Sequence, residues 1–214
     1  MIGGWRPGMI PSMAIRRQSD GPADARTTIV LAHGAGAGMD HPFLATVARG
    51  LAAHGFRVVR FDFPYRTAGK RAPDRMPVLQ AAMREVVASC AAGPIVLAGK
   101  SMGGRVATML ADELAVCATV VFGYPFHPPD EPTKLRTAHL AELRTPTLIL
   151  QGERDEFGTR DEVAGYTLAK AITVQWFADG DHSLVPRQRS GHSAAGHLQT
   201  AIDAAAAFVA QHTG

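Results

Sequence analysis

Six short apolar runs, each followed by a stretch of helical period, constrain this chain more than any other feature. The runs are "TTIVLAH" (27–33), "FRVVRFDF" (56–63), "PIVLAGK" (94–100), "ATVVFGY" (118–124), "TPTLILQG" (145–152) and "TVQWFA" (173–178). Each is nearly continuous in β-branched or apolar residues, as strands covered on both faces are. Residues 41–55, 73–90, 103–114, 137–144, 160–170 and 192–211 instead space their apolar residues at three and four. Strand then helix, repeated, predicts an α/β fold: a doubly wound, mostly parallel sheet of about six or seven strands with helices on both faces.

With 214 residues, 46% of them hydrophobic, the chain fits one domain with a sizeable core. We assign that domain to 27–214 and treat 1–26 as an N-terminal segment, in which "SMAIRRQ" (12–18) is a candidate edge strand turned by "SDGPAD". The net charge of +3 is spread along the chain with no run of five like charges, so no nucleic-acid-binding arm is expected. Gly and Pro interrupt the first 26 residues, and no stretch reaches about 18 consecutive apolar residues, so we expect a cytoplasmic protein that does not engage a membrane. Cys90 and Cys117 form no Cys-x-x-Cys pair and are expected to be buried, reduced thiols. No metal-ligand motif such as His-Glu-x-x-His occurs, and neither metal nor cofactor is expected. Oligomeric state is not legible.

Ligands of an open parallel sheet bind beyond the carboxyl ends of its strands, where the strand-to-helix loops converge. "GPIVLAGKSMGGR" (93–105) places Ser101 at such a point and fits two motifs. Gly-Lys-Ser ends a phosphate-binding loop, but that loop needs a glycine at position 94, which is proline, and an irregular backbone where "IVLA" is a strand. Gly99-Lys100-Ser101-Met102-Gly103 is Gly-x-Ser-x-Gly, a sharp strand-to-helix turn that exposes a serine nucleophile between small residues. Ser101 is therefore expected to attack. Lys100, pointing away by alternation, is assigned structural support.

A serine nucleophile on this turn expects an acid and then a histidine on later loops at the same edge. "ERDEFGTRDE" offers Glu153, Asp155, Glu156, Asp161 and Glu162; Asp155 is favoured, three residues past the glycine that ends the strand, and Asp161 suits a helix cap. His182 alone among nine histidines follows the last strand on a glycine-containing loop, whereas His192, His197 and His212 fall on or beyond the terminal helix and His54 ends an earlier one. Backbone donors for a developing oxyanion are expected from Met102 and from "LAHGAGAGMDHPF", with Ala35 first and Gly36 second. Gly34-x-Gly36 also suggests a dinucleotide fingerprint with Asp62 as its acid, but Met39 holds the third glycine position and Asp62 lies too far on.

"HGAGAGMDHPF", "FDFPYR", "GKSMGGR", "GYPFHPP", "QGERDEFG" and "GDHSL" together resemble the small, lidless alpha/beta-hydrolases of the dienelactone hydrolase-like group, from about Thr27 to the C-terminus. The resemblance implies an alpha/beta-hydrolase fold with Ser101, Asp155 and His182 at the triad positions and Ala35 with Met102 at the oxyanion positions. Dienelactone hydrolase itself carries cysteine as nucleophile, so its substrate is not carried over. Only about twenty residues (125–144) stand where a lid would be inserted, which favours a small or soluble carboxylic ester as substrate. Phe63, Tyr65, Tyr124, Phe126 and His127, all just beyond strand ends, are the expected walls, with Gly36 beside the oxyanion donors. Arg66, Lys70, Arg71 and Arg75 follow the same edge and form either a solvated loop or an attractor for anions. A binding or scaffold protein with hydrolase geometry, and an acyltransferase or perhydrolase with the same triad, stand as alternatives to the hydrolase.

Overall fold

A computed structural model describes residues 15–214. Seven strands form one sheet: β1 (Arg17–Asp20), β2 (Thr28–Ala32), β3 (Arg57–Phe61), β4 (Ile95–Lys100), β5 (Ala118–Phe122), β6 (Thr147–Gly152) and β7 (Ile172–Phe177). Their order is β1-β3-β2-β4-β5-β6-β7, and every neighbouring pair is parallel except β1 with β3. Order reverses beside β2 and β4, the place where an open sheet parts its loops to make a crevice.

Successive residues of the central strands serve opposite layers, and this is why their sequences run apolar without a break. Ile29 and Leu31 of β2, Val96 and Ala98 of β4, and Leu148 and Leu150 of β6 share one core with α1 (Pro42–Ala53) and α6 (Ala194–Thr213). Val30, Leu97, Val121 and Ile149 face the other core, against α3 (Met76–Ala88) and α4 (Met102–Leu110). The helices answer with single stripes: Leu44, Val47, Ala48 and Leu51 on α1, and Leu79, Ala82, Met83 and Val86 on α3.

The edge strand β1 begins at Arg17, so it overlaps the expected 12–18 only at its end, and residues 12–14 lie outside the described residues. Arg60 of β3 holds it, donating to Asp20 at 2.8 Å through Nε and to the Met39 carbonyl at 2.7 Å. Two expected helices are much shorter than their sequence period. Residues 137–144 contain a 3-10 turn at Ala138–Ala141, and 160–170 contain only α5 (Arg160–Val163). A helix absent from the sequence reading, α2 (Pro64–Thr67), starts directly after β3 with Pro64 in its first turn. Cys90 and Cys117 are free and half-buried rather than fully buried. No helix among the described residues is long and apolar enough to cross a membrane.

Candidate active site

The chain is packed at backbone contact where β4 turns into α4. Ser101 sits there with φ 52° and ψ −116°, a conformation that a non-glycine residue holds only when its surroundings force it. Glycines make that possible. A methyl group on Gly103 would stand 2.6 Å from the Ala32 carbonyl oxygen and 2.7 Å from that of His33, and one on Gly99 would overlap the Gly103 backbone. Strand, helix and the loop after β2 thus pass at backbone contact around one serine.

That serine meets side chains from two later loops. Asp155, three residues past β6, is fully buried, and its Oδ2 accepts from His182 Nδ1 at 2.8 Å. A carboxylate only accepts, so Nδ1 carries the proton and Nε2 is left with a lone pair. Ser101 Oγ lies 2.8 Å from that Nε2. Asp155 is itself aimed by Gln151 Nε2 at 2.7 Å and by the Phe157 backbone N–H at 2.9 Å. Gln151 went unnoticed in the sequence because it lies within a strand; its buried amide also bridges the Tyr124 N–H and carbonyl, tying the β5 loop to the acid. Two other acids of that loop are occupied elsewhere: Glu153 pairs with Arg160, and Glu162 closes a capping box with Thr159, which displaces Asp161 as the cap of α5, while Glu156 is exposed.

His182 is further held from both sides. Phe157 packs on its ring with centroids 4.2 Å apart, and Lys100 Nζ donates to its carbonyl at 2.7 Å. Burial lowers the pKa of the imidazole, the Asp155 hydrogen bond pulls it back up, and the Lys100 charge lowers it again, for a net fall below the ordinary 6.5. Lys100 is pushed down to about 8, chiefly by burial. It therefore supports the histidine loop directly, more specifically than alternation along β4 suggested.

The loop after β2 forms the facing wall. Ala37 N–H donates to the Gly34 carbonyl at 3.3 Å, closing a turn whose third residue, Gly36, has φ +75° as that position requires. His33 anchors the turn from below: its Nδ1 donates to the Gly34 carbonyl at 2.8 Å, and its Nε2 accepts from the Phe63 N–H at 3.1 Å. Asp62, weighed as a ribose-binding acid, instead accepts from the Met39 N–H at 2.8 Å and supports this loop.

Ser101 and His182 open into a cleft of about 600 Å³, and Ala35 and Met102 line it beside them. The expected substrate walls do not. Phe63, Tyr65, Tyr124, Phe126 and His127 are each at most 2% exposed, and none borders the cleft. The chain bends back at Pro64 and packs Phe63 between Phe61 and His33, while Tyr124 and Phe126 stack at 4.8 Å under the β5 loop. Gly36 borders a shallower neighbouring depression shared with Arg66. Lys70, Arg71 and Arg75 are exposed and do not line the cleft, whose cations are Lys100, Arg105 and Arg136. Its apolar wall comes from Phe43, Leu44, Met76, Leu79 and Phe157. No cluster of three or more metal-ligating side chains occurs among the described residues.

A seven-stranded sheet of this order, with a strained serine after β4 and an acid and a histidine after β6 and β7, defines an alpha/beta-hydrolase fold. Over residues 25–210 the chain matches the alpha/beta hydrolase domain family, and it belongs to that family. Solved structures share the fold at low sequence identity. A serine hydrolase without a lid from Xanthomonas campestris is 21% identical, with 89% of this chain and 88% of that one covered and a TM-score of 0.68. The dienelactone hydrolase of Anabaena variabilis is 18% identical, with 96% and 95% covered and a TM-score of 0.71. Est1E of Butyrivibrio proteoclasticus, solved with ferulic acid, is 16% identical, with 92% and 95% covered and a TM-score of 0.73.

Proposed function

We propose that this protein is a serine hydrolase that cleaves a small or soluble carboxylic ester through Ser101, His182 and Asp155. The observation that carries the proposal is the unbroken chain of two 2.8 Å contacts from Ser101 Oγ through the imidazole to a buried carboxylate. His182 takes the Ser101 proton as the oxygen attacks the acyl carbonyl, and Asp155 stabilises the imidazolium that forms. The imidazolium then protonates the departing alcohol. Water, deprotonated by the same histidine, cleaves the acyl-enzyme and restores Ser101. The Ala35 and Met102 backbone N–H groups are the proposed donors to the tetrahedral oxyanion, each worth about a hundredfold or more in rate.

The connection between β5 and β6 supports a small substrate, because it contains only a 3-10 turn and builds no cap over the cleft. Est1E, solved with ferulic acid, and the dienelactone hydrolase share this fold, at identities too low to transfer a substrate. A fluorophosphonate probe tests the proposal. Stoichiometric labelling at Ser101, lost in Ser101→Ala and His182→Ala, is expected; folded protein that resists labelling would make the site a binding surface instead. Transfer to added alcohols or peroxide in preference to water would reassign it as an acyltransferase or perhydrolase.

A further inference from the structure

Two arginines line the cleft beside Ser101 without an acid to answer them. Arg105 stands on α4 with its backbone N–H donating to the Ser101 carbonyl at 3.0 Å, one helical turn beyond the serine. Arg136 reaches the same cleft from the β5–β6 connection. Neither guanidinium has a carboxylate within 4.0 Å among the described residues, and residues 1–14 contain no Asp or Glu. Nε of Arg105 is shut off from solvent and has no hydrogen-bond partner among the described residues.

The surroundings offer no compensation. Arg136 borders the same cleft as Arg105, and its pKa is lowered by burial first and by the Arg105 charge second. Glu131, the acid nearest in effect to Arg136, is engaged by Lys134 at 3.2 Å. His139 is pushed down to about 4 by burial and by Arg105, and bonds Thr108 at 3.0 Å as a neutral ring. Tyr124 spends its hydroxyl on the Arg136 carbonyl at 2.8 Å. Asp74 also borders the cleft but pairs with neither arginine, and Lys100 is tied to the histidine loop. Arg60 of β3, by contrast, is matched: its side chain, 4% exposed, bonds Asp20. Two adjacent, partly desolvated guanidiniums with free donors are unfavourable alone and become favourable once an oxyanion bridges them.

We propose that Arg105 and Arg136 form a subsite for an anionic group carried by the substrate, making the substrate an ester with a carboxylate or phosphate on a short linker from its scissile carbonyl. The inference rests on the hydrolase proposed above and extends it to a substrate class. Ser101 caps α4, Arg105 lies in the first turns of that helix, and both border one cleft with Arg136, so the linker called for is one of a few carbons.

The probes are monoethyl succinate, ethyl 3-phosphonopropionate and ethyl 4-methylpentanoate, an uncharged isostere of the first, followed by acid release. We expect kcat/KM for at least one anionic ester to exceed that for the isostere tenfold or more, mainly through KM, and the excess to shrink with added salt. Which anionic ester is preferred identifies the group. In Arg136→Gln that ratio should fall at least tenfold, with partial recovery in Arg136→Lys; Arg105→Gln should act alike if it folds, and half-exposed Arg136 keeps the test open if it does not. A wild-type ratio near one, or one unmoved by Arg136→Gln, overturns the subsite. Titrating Ser101→Ala with succinate and inorganic phosphate separates the two proposals. Anion binding weakened tenfold by Arg136→Gln supports the subsite even if no ester turns over, and absence of binding by both anions overturns it even if neutral esters do.

Discussion

His182, the proposed base, can take a proton only while neutral, and its surroundings favour that form. Burial and the Lys100 charge together lower its pKa below 6.5 despite the carboxylate beside it. Since the neutral fraction is lost as pH falls through that lowered value, the acidic limb of kcat/KM should have its midpoint below pH 6.5. Lys100→Met removes the nearby cation and the donor to the His182 carbonyl. Its acidic limb should therefore move to higher pH while kcat drops. A pH profile of both proteins checks this, and coincident limbs would show that Lys100 has no electrostatic hold on the base.

At the scale of elements, the β4–α4 turn leaves no room for a side chain at Gly99 or Gly103. Gly103→Ala drives a methyl into two carbonyl oxygens of the β2 end, and neither can retreat without separating strand from helix. Overpacking of this kind destabilises by about 1–3 kcal/mol, which for a chain of this length lowers Tm by roughly 3–10 °C. Activity should fall by a larger factor than stability suggests, because the displaced turn carries Ser101. Thermal melts paired with ester assays decide it. The edge strand offers a second test. Asp20→Ala strips the partner from buried Arg60, which also steadies the glycine loop through the Met39 carbonyl. We expect a loss on the order of 2–3 kcal/mol, below that of a fully buried pair because Asp20 keeps some contact with water. Urea denaturation with an unchanged midpoint would show that β1 is not fastened in this way.

At the scale of the molecule, the sheet and the convergence of three loops were legible because both are consequences of local pattern. Continuous apolar runs mean strands covered twice, alternation with helical segments means parallel order, and parallel order brings every strand-to-helix loop to one edge. That Ser101, Asp155 and His182 meet at one edge could be read from chain order and strand ends for that reason. The short helices at 138–141 and 160–163 could not be delimited, since their period continues into residues that pack as irregular chain against the sheet.

What composes the cleft belonged to the tertiary structure alone. Position after a strand does not say which way a loop folds, and the aromatics 63, 65, 124 and 126 turned inward while Phe43, Met76 and Phe157, from elements far apart in the chain, became the wall. Gln151 became visible as a support for Asp155, and Arg105 and Arg136 as an unmatched pair, only after helix and loop were set side by side. Spacing along the chain encodes which residues reach the sheet edge, because strand and helix periods are local. Which of them face one another depends on packing between distant segments, and no local period records that.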